Sequence, residues 1–485
     1  MNKPIRVISM FCLLLFLALM INASYIMYFR ADELAADAKN RRVINAAFAR
    51  ERGAILVDKE PIARSVPSDD QYEFQRTYPQ PFMYAPITGY FAYYSQTGIE
   101  RSQSEVLSGD DSRLFVTRLV DMLNDADPQG GNVELTIDPA AQAAAFEGLQ
   151  ALPGAKGAVV ALEPSTGKVL AMVSSPTFDP NALASHDLKA VEAEATRLEE
   201  DPATPLINRA IATTLPPGST FKLVTAAAAI QSGNYDKDSM VPGGFTFQLP
   251  QSSTKVGNYD GGNCGGAKIT MTQALAISCN VTFLSLANEL GVETMTEQAE
   301  AFGFNSTSLE DLRGQAASLY PPDMDAPQTS LSGIGQSSVT ATPLQMAMVV
   351  AGIANDGQVM KPYLIDEVRA PNASLLEETE PSTYSQAVSG TTADELTEMM
   401  VATVDTGTAA VAAIPGIRVA GKTGTAQSTD SRPPYAWFVS FAPADDPQVA
   451  VAVMVEASEI ARDEIAGGAL GGPIAKAIME AVMAQ

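Results

Sequence analysis

A serine and a lysine three positions apart, Ser219 and Lys222, form the most informative pair in the chain. They follow a Pro-Pro-Gly segment, and the apolar run that continues to Ile230 predicts a helix. Both side chains then project from one face of its first turns. The helix start favours a developing oxyanion, and burial favours the neutral form of an amine. The pair therefore predicts a serine nucleophile that a neutral lysine deprotonates.

The Ser-x-x-Lys spacing is weak when it stands alone. It also occurs at Ser165/Lys168, in a predicted hairpin turn, and at Ser252/Lys255, in a polar loop. Neither of these opens a helix. Taken by itself, Ser219 fits an ordinary N-cap serine at least as well as it fits a nucleophile.

Two remote motifs change this interpretation. Ser278-Cys279-Asn280 lies between predicted helical segments, although Ser232-Gly233-Asn234 has the same pattern. Lys422-Thr423-Gly424-Thr425 contains the chain's only Lys-Thr-Gly and lies on or at the end of a predicted strand. There a lysine beside a hydroxyl residue and a glycine can hold a substrate carboxylate. The three motifs in this order are a strong signal for serine acyl-transfer chemistry.

Composition excludes several other functions. The chain has 485 residues and a formal net charge of −25, which argues against a nucleic-acid surface. His186 is its only histidine, so a Ser-His-Asp triad would have to use it, and a zinc site of His and Cys is nearly excluded. A solvated loop histidine is the simpler interpretation. We expect no metal and no organic cofactor.

The chain has three cysteines, and Cys12 lies inside an apolar run. Cys264 and Cys279 remain. In an exported domain they could form a disulfide, and two separate buried thiols fit equally well.

An uncharged, apolar segment near the N-terminus predicts a membrane helix over 7–29. About 20 such residues suffice to cross a bilayer, and Lys3 and Arg6 precede the segment. Their charge predicts a cytoplasmic N-terminus, with the rest of the chain outside. A cleaved signal peptide is the alternative, but its apolar region would normally be shorter, at roughly 7–15 residues. We therefore expect a single-pass protein of the cell membrane.

The pattern divides the chain into four parts: a cytoplasmic tail over 1–6, the membrane helix over 7–29, a non-catalytic domain over 30–131 and a catalytic domain over 132–485. Within the third part, a helix is predicted over 32–50 and a connector over 125–131.

The catalytic segment has predicted strands near both of its ends and mostly helices between them. A final helix is predicted from about Gly472 to Met483. The pattern predicts an α+β fold in which distant segments complete one antiparallel sheet that helices cover. The strands are predicted at 157–162, 168–173, 436–441 and 449–455.

With these motifs the chain resembles the class B penicillin-binding proteins, in particular their short penicillin-binding protein A type. The resemblance covers the whole chain and includes Arg52–Asp58, Gly335-Gln336, Thr342–Gln345, Ala436–Phe438 and Gly471–Ala475. It implies a penicillin-binding transpeptidase fold, with a five-stranded antiparallel sheet flanked by helices, and a small N-terminal pedestal domain.

The resemblance also implies a role for each motif residue. Ser219 would form the acyl-enzyme with Lys222 as its base, and Ser278 would relay a proton to the leaving amine. The remaining roles concern binding: Asn280 for a substrate amide, Lys422, Thr423 and Gly424 for the terminal carboxylate, and the backbone N–H groups of Ser219 and Thr425 for the oxyanion.

The implied activity is D,D-transpeptidation of peptidoglycan stem peptides, inhibited by β-lactams, with a separate membrane glycosyltransferase as partner. Hydrolysis, as a carboxypeptidase or a β-lactamase, would use the same motifs. The membrane helix and the additional domain argue against a β-lactamase. A non-catalytic scaffold or β-lactam sensor is a third alternative, although a signalling sensor would need a larger cytoplasmic part.

Overall fold

The fold was analysed in a computed structural model, which describes residues 2–30, 34, 45, 48–114, 129–259, 261–426 and 433–484. The helix predicted over 32–50 and the connector predicted over 125–131 lie mostly outside these residues.

The chain begins with a long apolar helix, Asn2–Phe29. At 1.5 Å per residue its 28 residues extend about 42 Å, which exceeds the roughly 30 Å of a bilayer core. Its apolar side chains are exposed, Leu13 and Phe16 each to 69%. Among the described residues it is the one helix long and apolar enough to cross a membrane.

A five-stranded antiparallel sheet, here called the central sheet, confirms the predicted fold. Its strands come from both ends of the catalytic segment, because the hairpin predicted near 157–173 pairs with the C-terminal strands. The spatial order is Ala420–Ala426, Tyr435–Ala442, Val449–Ala457, Lys156–Leu162 and Val169–Ser175.

Helices cover both faces of the central sheet. Pro139–Gln150 and Gly467–Met483 pack together on one face, and Pro343–Ala354 packs on the other. Each face of the sheet has its own apolar core, and successive strand residues point to opposite faces. Val159 belongs to the core under the first two helices, and Val160 belongs to the core under Pro343–Ala354. This alternation explains why the strands read as continuous apolar runs.

The C-terminal helix begins five residues before the predicted start, at Gly467. Its glycines and Pro473 are residue types that disfavour helices, so the sequence does not predict a helix over this part. They allow close packing on the sheet, since a Cβ at Gly467 would come within 2.0 Å of Trp437 O and one at Gly471 within 2.5 Å of Phe438 Cβ.

A helical region carries two of the three motifs. Its short strand pairs are Met240–Pro242 with Lys268–Thr270, Thr246–Gln248 with Lys255–Gly257, and Gln358–Met360 with Thr383–Gln386. Its helices are Lys222–Gln231, Met271–Ala276, Asn280–Ala301, Ala326–Ser332 and Gly390–Asp405.

A second, six-stranded sheet combines strands from both sides of the predicted boundary between 131 and 132. It contains one parallel pair, Ile55–Val57 with Asn132–Leu135. The spatial order is Leu375–Glu378, Ile365–Arg369, Asn132–Leu135, Ile55–Val57, Glu60–Pro67 and Phe74–Thr77. The shared sheet joins the N-terminal segment to the catalytic segment through backbone hydrogen bonds.

Beside this sheet, Glu100 is fully buried between two arginines. Its carboxylate accepts hydrogen bonds from Arg52 Nε and Arg76 Nε, each at 2.6 Å. Buried charges are tolerated when they are paired in this way.

The remaining short helices are Pro81–Thr88, Gly98–Ser102, Ser104–Ser108, Pro180–Leu183, Leu188–Glu200 and Arg209–Ala212, and the 3₁₀ turns are Ser112–Leu114, Gly218–Phe221, Ala410–Ala412 and Arg462–Glu464.

Candidate active site

Ser219 lies in the 3₁₀ turn Gly218–Phe221, which leads directly into the helix Lys222–Gln231. Gly218 has a φ of 56°, and its N–H donates to Gly335 O at 3.1 Å. A Cβ at Gly218 would lie 3.0 Å from Ala426 N. The turn is therefore held against the end of the strand Ala420–Ala426, and a glycine is needed at this close approach.

Lys222 is 0% exposed, and its Nζ contacts three oxygens of the Ser-x-Asn motif. Nζ lies 2.8 Å from Ser278 O, 3.1 Å from Ser278 Oγ and 2.7 Å from Asn280 Oδ1. None of these partners is a carboxylate. Burial, and then the charge of Lys422, hold the pKa of Lys222 well below its ordinary value of 10.5. This side chain is thus suited to accept a proton.

The Ser-x-Asn motif is fixed by the loop that precedes it in the chain. Ser278 has a φ of 59° and ends the gap between two helices, while Asn280 begins the helix Asn280–Ala301. Asn280 Nδ2 donates to Gly257 O at 3.0 Å, and its N–H donates to Asn258 Oδ1 at 2.9 Å. Both bonds set the orientation of the amide that faces Lys222.

Lys422 lies on the edge strand of the central sheet and contacts the same serine, Ser278. It is 0% exposed, and its Nζ donates to Ser278 Oγ at 3.0 Å and to Thr423 O at 2.9 Å. Burial lowers its pKa from 10.5 to about 7. One hydroxyl therefore lies between two buried amines whose charged forms are both disfavoured.

The rest of the Lys-Thr-Gly motif lines or supports the opening. Thr423 Oγ1 lies 2.8 Å from Thr408 Oγ1, and the N–H of Gly467 donates to Thr425 Oγ1 at 3.4 Å. Gly424 leaves no room for a side chain, because a Cβ would come within 2.9 Å of Thr220 Cγ2.

A cleft of about 850 Å³ opens over these groups. Five residues predicted to act in catalysis or substrate binding line it: Ser219, Ser278, Asn280, Thr423 and Thr425. Lys222 and Lys422 are buried and reach Ser278, which is part of this lining. The structure therefore brings the three predicted motifs to one place, with Ser219 on the open side.

Cys264 and Cys279 are joined by a disulfide with a Cα–Cα distance of 5.7 Å. Both residues line the cleft. Because Cys279 is the middle residue of the Ser-x-Asn motif, the bridge ties this motif to the loop that contains Asn258.

His186 lies outside the cleft lining. Its Nδ1 contacts Asp70, and its ring packs against Tyr72 at 4.9 Å between centroids. The side chain of this histidine is 10% exposed, so it is more buried than the solvated loop residue that the sequence suggested.

Asn258 is a site residue that the sequence did not reveal. Its Oδ1 accepts from the N–H groups of Asn280 and Val281, while its Nδ2 donates to Gly244 O at 2.9 Å and Gly262 O at 2.6 Å. In the sequence it is one asparagine in a polar, glycine-rich loop, and no pattern distinguishes it.

Two family models match the chain. Residues 157–480 match the penicillin binding protein transpeptidase domain, and residues 52–133 match the penicillin binding protein A dimerisation domain.

The chain is also similar to curated relatives along its whole length. It is 43% identical over 492 residues to the peptidoglycan D,D-transpeptidase PbpA of Mycolicibacterium smegmatis, covering 100% of both chains. It is 42% identical over 495 residues to PbpA of Mycobacterium tuberculosis, covering 100% of this chain and 99% of that one.

Solved structures of the M. tuberculosis penicillin-binding protein A share the fold. Its ceftriaxone acyl-enzyme complex superposes with a TM-score of 0.87 at 40% identity, covering 90% of this chain and 100% of that chain. Its penicillin G acyl-enzyme complex has a TM-score of 0.85 at 41% identity, with the same coverage. The chain belongs to the penicillin-binding protein transpeptidases, as a class B penicillin-binding protein.

Proposed function

We propose that this protein is a peptidoglycan D,D-transpeptidase that works through an acyl-enzyme on Ser219. The observation that carries the proposal is the convergence of Lys222 and Lys422 on the Oγ of Ser278, at 3.1 and 3.0 Å, beneath the cleft that Ser219 lines. The names of the PbpA relatives support the same activity.

In the first step, Lys222 takes the proton of Ser219 as Oγ attacks the carbonyl of the D-Ala-D-Ala bond. A lysine can act as a base only when it is neutral, and burial lowers the pKa of Lys222 accordingly. The absence of a carboxylate among its three hydrogen-bond acceptors leaves this effect uncompensated.

Collapse of the tetrahedral intermediate requires a proton on the departing D-Ala amine. We assign this transfer to Ser278, whose Oγ accepts a hydrogen bond from Lys222 and can pass its own proton to the amine. Lys222 then restores the proton on Ser278. In the second step, an amine of a neighbouring stem peptide attacks the ester and Ser219 is regenerated.

The other motif residues bind the substrate. We propose that Lys422 and Thr423 bind the terminal carboxylate, beside Gly424, and that Asn280 binds a peptide amide. A bound carboxylate would raise the pKa of Lys422 above its value of about 7 in the open cleft and so favour the ammonium form. The backbone N–H groups of Ser219 and Thr425 would stabilise the oxyanion.

β-Lactams would acylate the same serine. The M. tuberculosis relative was solved as acyl-enzymes with ceftriaxone and with penicillin G. We propose the same reaction here, because the lactam carbonyl would occupy the position of the D-Ala-D-Ala carbonyl.

We further propose that the helix Asn2–Phe29 anchors the protein in the cell membrane, with residues 1–6 in the cytoplasm and the catalytic part outside. The divisions at 30–131 and 132–485 would then separate a pedestal from the transpeptidase domain. A separate membrane glycosyltransferase would supply the glycan strands that carry the stem peptides.

Labelled penicillin G tests the proposal on the full-length protein. We expect a covalent mass shift in the wild type, mapped to the peptide that contains Ser219, and none in Ser219→Ala. Ser165→Ala is the matched control, because Ser165 belongs to another Ser-x-x-Lys pair but lies in a hairpin turn; it should label normally. Labelling that persists in Ser219→Ala would refute the assignment.

A further inference from the structure

Lys255 is the one charged side chain among the described residues that line the catalytic cleft. The buried Lys222 and Lys422 lie beneath the lining. The chain as a whole carries a net charge of −25, yet none of these lining residues is acidic. The lining of the cleft therefore carries one positive charge, at the position of Lys255.

The side chain of this lysine makes no contact that would stabilise the fold in the described part of the protein. Its side chain is exposed, and no hydrogen-bond or ion-pair partner for its Nζ occurs among the described residues. Its cross-strand neighbour is the neutral Gln248. The next residue, Val256, packs against the apolar core and so holds the strand in place without Lys255.

The strand that carries Lys255 is held rigidly to the catalytic motif. Gly257, two positions later, accepts the side-chain amide of Asn280 at 3.0 Å, and Asn258 accepts the N–H of Asn280 at 2.9 Å. Residues 255 and 257 lie on the same face of the strand, about 6.6 Å apart. The backbone of Lys255 therefore has a fixed position beside the amide that is assigned to substrate binding, and its side chain extends from there.

We propose that Lys255 is a specificity-determining residue that recognises a free carboxylate in the stem peptide, in the part that precedes the D-Ala-D-Ala terminus. The proposal rests on the proposed transpeptidase function. A substrate that is bound at Asn280 lies beside this strand, because Asn280 Nδ2 donates to Gly257 O and both residues line the cleft with Lys255. A carboxylate there would form an ion pair with the ammonium group, whereas a carboxamide would not. Attraction between these charges is screened by salt, so the preference depends on ionic strength.

The test uses full-length protein and two synthetic stem-peptide donors that end in D-Ala-D-Ala. They differ in one residue before that terminus, which carries either a carboxylate or a carboxamide. Release of D-Ala is measured with one acceptor amine, and KM and kcat are determined separately. We expect the wild type to prefer the carboxylate donor about fivefold, mainly through KM, which is the upper range for an exposed ion pair. The preference should shrink at roughly 0.5 M salt.

Substitutions identify the responsible cation. Lys255→Met should treat both donors alike, and Lys255→Arg should keep the preference. Lys268→Met is the matched control: Lys268 is also exposed on a short strand of the same region but is not among the residues lining the cleft, and its variant should behave as wild type.

Two outcomes would overturn the inference: a wild type without a preference, or a Lys255→Met variant that retains it. Labelling of Ser219 by penicillin G is measured in parallel. Labelling without a donor preference would reject the role of Lys255 alone, whereas a wild type that is not labelled would reject the transpeptidase function itself.

Discussion

Lys422 Nζ lies 3.0 Å from the Oγ of Ser278, although the two residues are 144 positions apart in the chain. The contact joins the edge strand of the central sheet to the gap between two helices. Because Ser278 Oγ is also 3.1 Å from Lys222 Nζ, its proton has an amine on either side. The hydroxyl is therefore placed to pass a proton rather than to bear a charge of its own.

Ser278→Ala is expected to slow acylation by penicillin G about 100-fold or more, the usual range for losing a group that transfers a proton. The fold should remain, since the backbone oxygen of residue 278 still accepts from Lys222. Ser232→Ala is the matched control, because Ser232 begins the other Ser-x-Asn and lies at a helix end. Rates are measured by stopped-flow with labelled penicillin. An unchanged rate in Ser278→Ala would exclude the relay.

The pH dependence of acylation should reflect the lowered pKa of Lys222. A lysine with the ordinary pKa of about 10.4 would be about 0.4% neutral at pH 8, and its neutral fraction would rise roughly 70-fold by pH 10. Since burial stabilises the neutral form of Lys222, we expect the rate to rise much less than this over the same interval. A rise that follows the ordinary titration would show that the pKa of Lys222 is not lowered in the free enzyme.

The order of the three motifs predicted the site because each motif needs its own local structure. Ser219 needs a helix start, and Lys422 needs a strand in which a glycine allows close packing. Prolines, glycines and apolar runs in the sequence indicate both the helix start and the strand. Short apolar runs near both ends of the catalytic segment, two of them joined by a turn over 165–168, likewise predicted the central sheet and its hairpin.

Other features depend on contacts between distant segments and have no sequence signal. Asn258 holds Asn280 through loop geometry, and Ser278 adopts a left-handed conformation that its residue type does not favour. The C-terminal helix was predicted too short, because the glycines that pack it on the sheet are poor helix formers. In the sequence Lys255 belongs to a Ser-x-x-Lys pair in a polar loop, and no pattern distinguishes it. Only the fold places it at the cleft.

Lys422→Met should stabilise the protein at low and neutral pH, at the expense of activity. The folded-state pKa of Lys422 is about 7, below the ordinary value of about 10.4 expected in the unfolded chain. Between these values the unfolded chain holds a proton that the folded chain lacks, so the stability of the wild type rises with pH. The gain in Tm of the variant should therefore be largest below pH 7 and vanish near pH 10.

Thermal unfolding of the full-length protein from pH 6 to 10 measures this difference. Lys361→Met, at an exposed position, should show no comparable trend. If Lys422→Met is equally stabilised, or equally destabilised, at every pH, folding does not lower the pKa of Lys422.

Removing the disulfide should weaken both the fold and the site. The bridge closes a loop with a sequence separation of 15, for which the chain-entropy model gives about 3 kcal/mol of stabilisation. Cys264 follows Asn258 by six residues in the same polar segment, and the side chain of Asn258 fixes the start of the helix Asn280–Ala301. The double variant Cys264→Ser/Cys279→Ser should therefore unfold at lower urea concentration and acylate more slowly.

Cys12→Ser is the control for this experiment, because Cys12 is the free cysteine and lies in the N-terminal helix. It should match the wild type in both measurements. If the double variant loses stability but acylates at the wild-type rate, the bridge stabilises the fold without positioning Asn280. In that case the two bonds from Asn280 to Gly257 and Asn258 are sufficient to hold the motif, and the disulfide has no part in the reaction.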